Sequence, residues 1–393
     1  MANRLLARGH RVVLTSRETG FTAELQRQFA GDHGDSGRRQ IVQLLPLSHA
    51  QQEGMVHARI DDDAQREAFW KGVRDPRYEE LTENPLMLTM MLSVFKKMGG
   101  HLPERRSELY ERALAVMLDR ADAVRRVARA IDRPRLEAFL QQLAFASHRR
   151  EGDQFRIFTG ADVAAWCAEG GGMEGEGVLE VWHRVRAMAV DEGTLPILAP
   201  LGKGAASREE EEFRFSHLTF QEYYCAAELV RRFRLGTEPI AGLLRQHGKS
   251  SAAHALEDAR WHVVLQICGE LCIEGDNGMR PLAEAMLACD DRKLALGGGV
   301  RDPGAQALAP MLHADRVLVE LDLSKAELGV DGARDTGAAV AAPGGSTALQ
   351  TVVVAEFKHV VQTLRTAGAL DLSTKKLQAA DAGLLAGAMK AGM

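Results

Sequence analysis

The sequence predicts a mostly α fold with α/β parts, and three observations carry that prediction. Apolar residues recur at helical spacing in segments such as PLMLTMMLSVF and LYERALAVML. Short apolar runs, RVVLTSR (11–17) and QIVQLLPL (40–47), alternate with helical stretches near the N-terminus. After residue 294 the texture changes, and leucines return in a spaced pattern.

Composition narrows the class. The 393 residues are enough for two to four domains. Hydrophobic residues are 46% and charged residues 26%, which is ordinary for a globular chain. The net charge of −5 argues against broad nucleic-acid or membrane-surface binding. No apolar run reaches the length of about 18 residues that a membrane span needs, and MANRLLARGHR lacks the apolar stretch of a signal peptide. The five cysteines (Cys167, Cys225, Cys268, Cys272, Cys289) make no metal quartet, so a reduced, cytoplasmic setting is expected. Cys268 and Cys272 stand at i and i+4 in WHVVLQICGELC. They read as core thiols, with a metal or redox pair as the alternative.

The elements follow in order. Residues 11–47 read as a buried strand, a helix (FTAELQRQFA), a Gly/Asp-rich loop and a second strand. Ser48 starts the next helix. In 62–130, Asn84 is placed to cap a helix and Pro85 suits its first turn. Lys96 and Lys97 lie at its negative end, and Gly99-Gly100 stop it. Its middle is apolar on nearly every side, which predicts burial all round. Leu109, Tyr110, Ala113, Leu114, Met117 and Leu118 mark the stripe of the following helix.

Over 133–235, RLEAFLQQLAFASH is amphipathic and FTGADVAAWCAE reads as a turn and a short helix. TLPILAPLG and EFRFSH read as a hairpin around the polar loop GKGAASREEEE. A helix pair followed by a hairpin is the order of a winged-helix module. FQEYYCAAELVRRF then presents Phe220, Tyr223, Tyr224, Ala227 and Val230 on one stripe, and 236–292 is helical. LVELDLSKAEL (318–328) fits L-x-x-L-x-L-x-x-N-x-L with Ala326 at the asparagine position. ALDLSTKKL (369–377) repeats its core with Lys375 there. Gly304 and Gly332 lie 28 residues apart, inside the leucine-rich-repeat period, and LQTVVVAEF (349–357) reads as a degenerate third strand. A short leucine-rich array is expected, with ordinary α/β packing as the alternative.

Chemistry-bearing residues are few. GKSS (248–251) invites a phosphate loop, but five residues separate Gly242 from Gly248 where the motif has four, and the flank is helical. Asp61, Asp62 and Asp63 read as an acidic helix start, because no apolar strand leads into them. Arg17, just past a buried strand, could pair with a phosphate or simply lie at the surface. His217 shares strand parity with Phe213 and Phe215, so it points to the buried side. It reads as a satisfied core histidine or as a proton donor to a phosphate oxygen. No Ser/His/Asp, Cys/His or zinc constellation is present in the sequence.

Taken together, LTSR after a strand, ENPLMLTMML, LPERRSELYERAL, FRFSHLTFQEYYCAAEL and the late leucine pattern occur in one order. That order resembles the NACHT family of signal-transduction nucleotide switches, the group of the NOD-like receptors. The resemblance covers most of 11–235, and the repeats more weakly. It implies the C-terminal remnant of a P-loop NTPase sheet (1–47), a helical domain (48–130), a winged helix (131–235), a second helical domain (236–293) and an incomplete leucine-rich array (294–393). It also implies that Arg17 faces the terminal phosphate, Pro85 lines the adenine side, and His217 touches the β-phosphate of ADP and holds the module closed. The family's phosphate loop and acidic magnesium motif lie upstream of the LTSR strand, and only ten residues precede it here. The expectation is therefore a fragment of an ATP/ADP-gated switch whose magnesium ligands are missing and which by itself neither hydrolyses ATP nor binds it tightly. Protein partners are expected through the repeats and homo-oligomers in the complete protein, with neither nucleic acid nor membrane as partner. The alternative is a nucleotide-independent scaffold in which Arg17, Pro85 and His217 only pack.

Overall fold

The computed structural model describes residues 45–391 apart from 75–77, 79–80, 104, 126–130, 151, 169–172, 174, 176, 202–206, 237–239, 245–250, 273–278, 290, 343–347, 355–356 and 361–378. The described residues are mostly helical, with a three-stranded and a four-stranded sheet. The expected RVVLTSR strand with Arg17, the Gly-Lys-Ser of GKSS and the 369–377 leucine pattern lie outside them. No described helix is long and apolar enough to cross a membrane.

The front unit contains α1 (His49–His57), α2 (Asp63–Val73), α3 (Pro85–Lys97) and α4 (Arg106–Arg125). Each start has a local cause. Ser48 and Gln51 close a capping box on α1, and Asp62 caps α2, so the Asp61–Asp63 run is an acidic helix start. Asn84 accepts the N–H groups of Leu86 (2.9 Å) and Met87 (3.3 Å), while Pro85 has no N–H to satisfy. As its composition predicts, α3 is buried on most sides, and it ends where Gly99 takes φ +69°. Leu109, Leu114 and Leu118 of α4 join the same core.

The middle unit runs α5 (Arg133–His148), β1 (Phe158–Thr159), α6 (Gly160–Cys167), α7 (Val178–Arg186), β2 (Leu198–Leu201) and β3 (Glu212–Phe215). The predicted β2–β3 hairpin is present, with Leu198 opposite Phe215. β1 adds to the other edge of β3, with Phe158 opposite Phe213, and all pairings are antiparallel. The turn expected at FTG is therefore a strand, too short at two residues to show periodicity. Phe158, Trp182 and Phe213 fill the space between sheet and helices, with the Trp182 and Phe213 rings edge to face at 5.1 Å. Arg186 straddles the hairpin, donating twice to Glu211 (2.6 Å each) and once to Asp191 (2.9 Å).

β3 leads into α8 (Leu218–Leu235), the most buried long helix of the described chain. It packs on α5, α4 and β3, on the short α9 (Ile240–Leu244) and on α10 (His262–Cys272). Cys225 of α8 and Cys268 of α10 are fully buried, and burial holds both thiols well above their usual range. The thiols of Cys167 and Cys272 rise to about 11 for the same reason. They are free thiols, and Cys268 and Cys272 are core residues as read from their spacing.

Beyond α11 (Arg280–Leu287) the chain alternates β4 (Lys293–Ala295), α12 (Asp302–Ala314), β5 (Glu320–Leu323), α13 (Val330–Ala341) and β6 (Thr351–Val354). β4, β5 and β6 are parallel, with Leu294, Leu321 and Val352 in one buried register row. The last strand departs from the expected repeat, because β7 (Phe357–Val360) folds back antiparallel on β6. Carboxylates from earlier segments accept loop N–H groups. Glu257 Oε1 accepts the N–H of Gly297 and Asp302 Oδ1 that of Gly329, both at 2.7 Å. The final helix, α14 (Ala379–Ala391), lies so close to α13 that Gly337 touches the Leu384 carbonyl and Gly387 the Arg334 carbonyl with no room for a Cβ. Gly299 is likewise pressed on the Glu257 carbonyl.

Two substitutions test these close approaches. Gly299→Ala and Gly337→Ala should each lower stability by about 3 kcal/mol, the upper range for overpacking against backbone that cannot yield. Gly242→Ala, where nothing lies within 4 Å, should be neutral or stabilising. Urea midpoints of the three variants check this ordering.

Candidate functional site

Two of the three residues singled out in the sequence, Pro85 and His217, fall on helix starts. Pro85 is exposed at the first position of α3, behind the Asn84 cap. The Leu47 N–H donates to the Glu83 carbonyl (2.8 Å), so the incoming chain is tied beside that cap. An open apolar groove runs on from Leu86, lined by Met90, Ala113, Val116 and Met117.

His217 sits at the start of α8. Strand β3 ends at Phe215, and the Ser216 N–H still donates to the Ile197 carbonyl (2.8 Å). His217 then keeps extended angles (φ −137°, ψ 141°) and serves as the N-cap. Its Nδ1 accepts the Thr219 N–H at 3.3 Å and lies 3.0 Å from Thr219 Oγ1. An Nδ1 that accepts carries no proton, so this geometry assigns the proton to Nε2. The half-buried ring meets Phe220 edge-on at 6.0 Å. The parity argument is therefore corrected: His217 lies beyond the end of the strand, and its ring turns back to cap the helix. Pro85 thus stands at the start of α3 and His217 at the start of α8, and α4 packs on both helices. Arg17 lies outside the described residues.

The polar chemistry that sequence reading missed lies along α8. Gln221 is buried and donates to Ser147 Oγ (3.0 Å) and to the Phe155 carbonyl (2.7 Å). Glu228 is fully buried and takes Arg231 and Arg232, each at 2.7 Å. Glu222 is buried too, and burial raises its carboxyl to about 7 despite the nearby Arg156 charge. On α5, His148 is buried between the rings of Phe155 and Trp261, and its Nε2 faces the Arg260 carbonyl at 3.0 Å. Burial lowers its pKa to about 4. The available signal was a set of polar letters inside an apolar stripe, Gln221-Glu222 and Glu228 in FQEYYCAAEL. Among the described residues no group of three or more His, Cys, Asp or Glu side chains could hold a metal ion.

No family model matches the chain, and no curated protein matches it.

The two buried titratable groups oppose each other with pH. Glu222 rises on folding, so its stabilising share is full below about pH 4.5 and is lost as pH climbs through about 7. His148 falls on folding, so its share is full above about pH 6.5 and is lost as pH drops toward 4. Glu222→Gln should therefore match the parent near pH 4.5 and exceed it by on the order of 3 kcal/mol at pH 8. Urea unfolding at the two pH values measures the difference; a pH-independent difference would remove the assignment of Glu222.

Proposed function

We propose that the chain is part of a NACHT-type ATP/ADP-gated signalling switch carrying a leucine-rich-repeat sensor. The supporting observation is the order of parts around His217. The helix–strand–helix–helix–strand–strand unit with sheet order β1-β3-β2 has the connectivity of a winged helix. It ends on His217 at the start of the buried helix α8, and parallel β/α units follow. In this reading 1–47 belongs to the nucleotide core, and Arg17, Pro85 and His217 contact the nucleotide. The Nε2 proton of His217 supplies a donor for a phosphate oxygen, at a helix N-terminus that favours anions. In this reading nucleic acid is not a partner. The exposed side of α7 offers Leu179, Glu180 and His183, and Glu209, Glu210 and Glu212 beside β3 are exposed and acidic.

A second reading, a nucleotide-independent scaffold, is favoured by the same histidine. Nδ1 of His217 has a structural task as the α8 cap, which accounts for the residue without any ligand.

Heating the purified chain with 10 mM ADP separates the readings. For a switch fragment without its phosphate loop, a dissociation constant of about 1 mM would stabilise by about 1.4 kcal/mol, a shift of a few degrees at most. His217→Asn keeps a good N-cap and should abolish the increment while leaving the ligand-free midpoint within about 1 °C. No increment in the parent chain sinks the nucleotide role of this chain and leaves the scaffold.

A further inference from the structure

An open groove of about 490 Å³ runs between the outer sides of α12 and α13, with Met279, just before α11, in its wall. The sequence makes the gap. Ala309 and Ala314 line it from α12, and Ala338 and Ala339 from α13. Methyl groups are too small to fill the space between two helix backbones. On their other side the same helices do close. A Cβ on Gly332 would collide with Asp302 and crowd the Ala305 methyl, and Leu308, Leu312 and Val340 are fully buried. Polar side chains stand at the ends of the groove. Gln306 and Asp335 meet at one end, and His313 is exposed at the other. Seven residues separate Gln306 from His313, which is about 10 Å along a helix.

The Gln306–Asp335 end suits a positive charge. The Asp335 carboxylate is half-buried and takes a hydrogen bond from the Gln306 side chain. Its surroundings do not neutralise it. Arg334 is held by Asp331 at 2.7 Å, and no Lys, Arg or His among the described residues forms an ion pair with Asp335. Burial, and after it the Asp331 charge, raise its carboxyl above the usual carboxylate range. A second acceptor lies on the same wall. Pro310 stands inside α12 and has no N–H to give the Gln306 carbonyl one turn back. An ammonium head brings three donors and no acceptor to such a place, whereas an anionic head meets like charge. The alanine and proline walls beyond it favour an apolar body. We infer that this groove binds a small primary amine. Its ammonium sits on Asp335 and the Gln306 carbonyl, and its short apolar body lies along Ala309, Pro310, Ala338 and Ala339 toward His313. The site is built by α12 and α13 alone with Met279, and it is independent of the nucleotide reading.

Probes with one body and different heads test the site on the full chain: n-hexylammonium, n-hexanol and hexanoate, each titrated by ligand-observed NMR. Hexylammonium should bind with a dissociation constant of about 1 mM, in range for a ligand of so few heavy atoms. It should bind about tenfold tighter than hexanol, the range of a hydrogen bond to a charged group, and hexanoate should bind more weakly than either. Asp335→Asn should bring hexylammonium to the hexanol level and leave hexanol unchanged. Ala338→Leu keeps a good helix former at a partly exposed position and should weaken hexylammonium and hexanol alike by filling the groove. The parent series needs no variant, so a misfolded mutant cannot rescue the idea. No saturable hexylammonium binding in the parent, equal affinity for the three heads, or an unchanged hexylammonium affinity in a folded Asp335→Asn chain would each overturn the site.

Discussion

A helix with almost no solvent-facing side sets the terms for the rest of the described chain. α8 touches the front unit, the sheet-bearing middle unit and the rear helices, so every neighbour must present a complementary surface to it. Its apolar residues ask only for shape. Its polar residues ask for partners, because a buried donor or acceptor left alone costs more than its bond contributes. Gln221 draws the end of α5 and the turn at Phe155 into fixed places. Glu228 holds two arginines, and the Arg232 guanidinium lies over the Phe145 ring at 5.0 Å. Positions that could have been leucine thus specify which helices dock and in which register.

The same logic reaches the helix start. α8 needs an acceptor for its first amides, and the chain supplies an imidazole where Ser, Thr, Asp or Asn is usual. Imidazole can do so because its unprotonated nitrogen accepts while the proton sits on the other. Deleting the ring therefore removes a structural cap, whereas replacement by another capping residue keeps it.

Much of the helical architecture was legible because it is locally encoded. Asn84-Pro85, Ser48 with Gln51, and Asp62 mark starts by side chains that reach only two or three residues. The β2–β3 hairpin was legible from alternation, and the parallel β/α order from spaced leucines. Three things were not. β1 exists only because β3 offers it an edge. β7 reverses direction through pairing with β6, which no local periodicity encodes. The third is Glu270 with Ser107, more than 160 residues apart, whose pairing depends on how helices stack. At the site, the identity of His217 was legible but its cap was not, since histidine is an uncommon N-cap.

Carboxylates from earlier segments tie the β/α array to what precedes it. Glu257 serves the Gly297 loop and Asp302 serves the Gly329 loop. Bonds run the other way as well, since the Leu296 N–H donates to the Asp322 carbonyl. Neighbouring units are therefore coupled in both directions, and the first of them is coupled through Glu257 to the helical body. An array joined in this way shares its stability with its neighbours, so loss of order in one unit is felt by the units on either side of it.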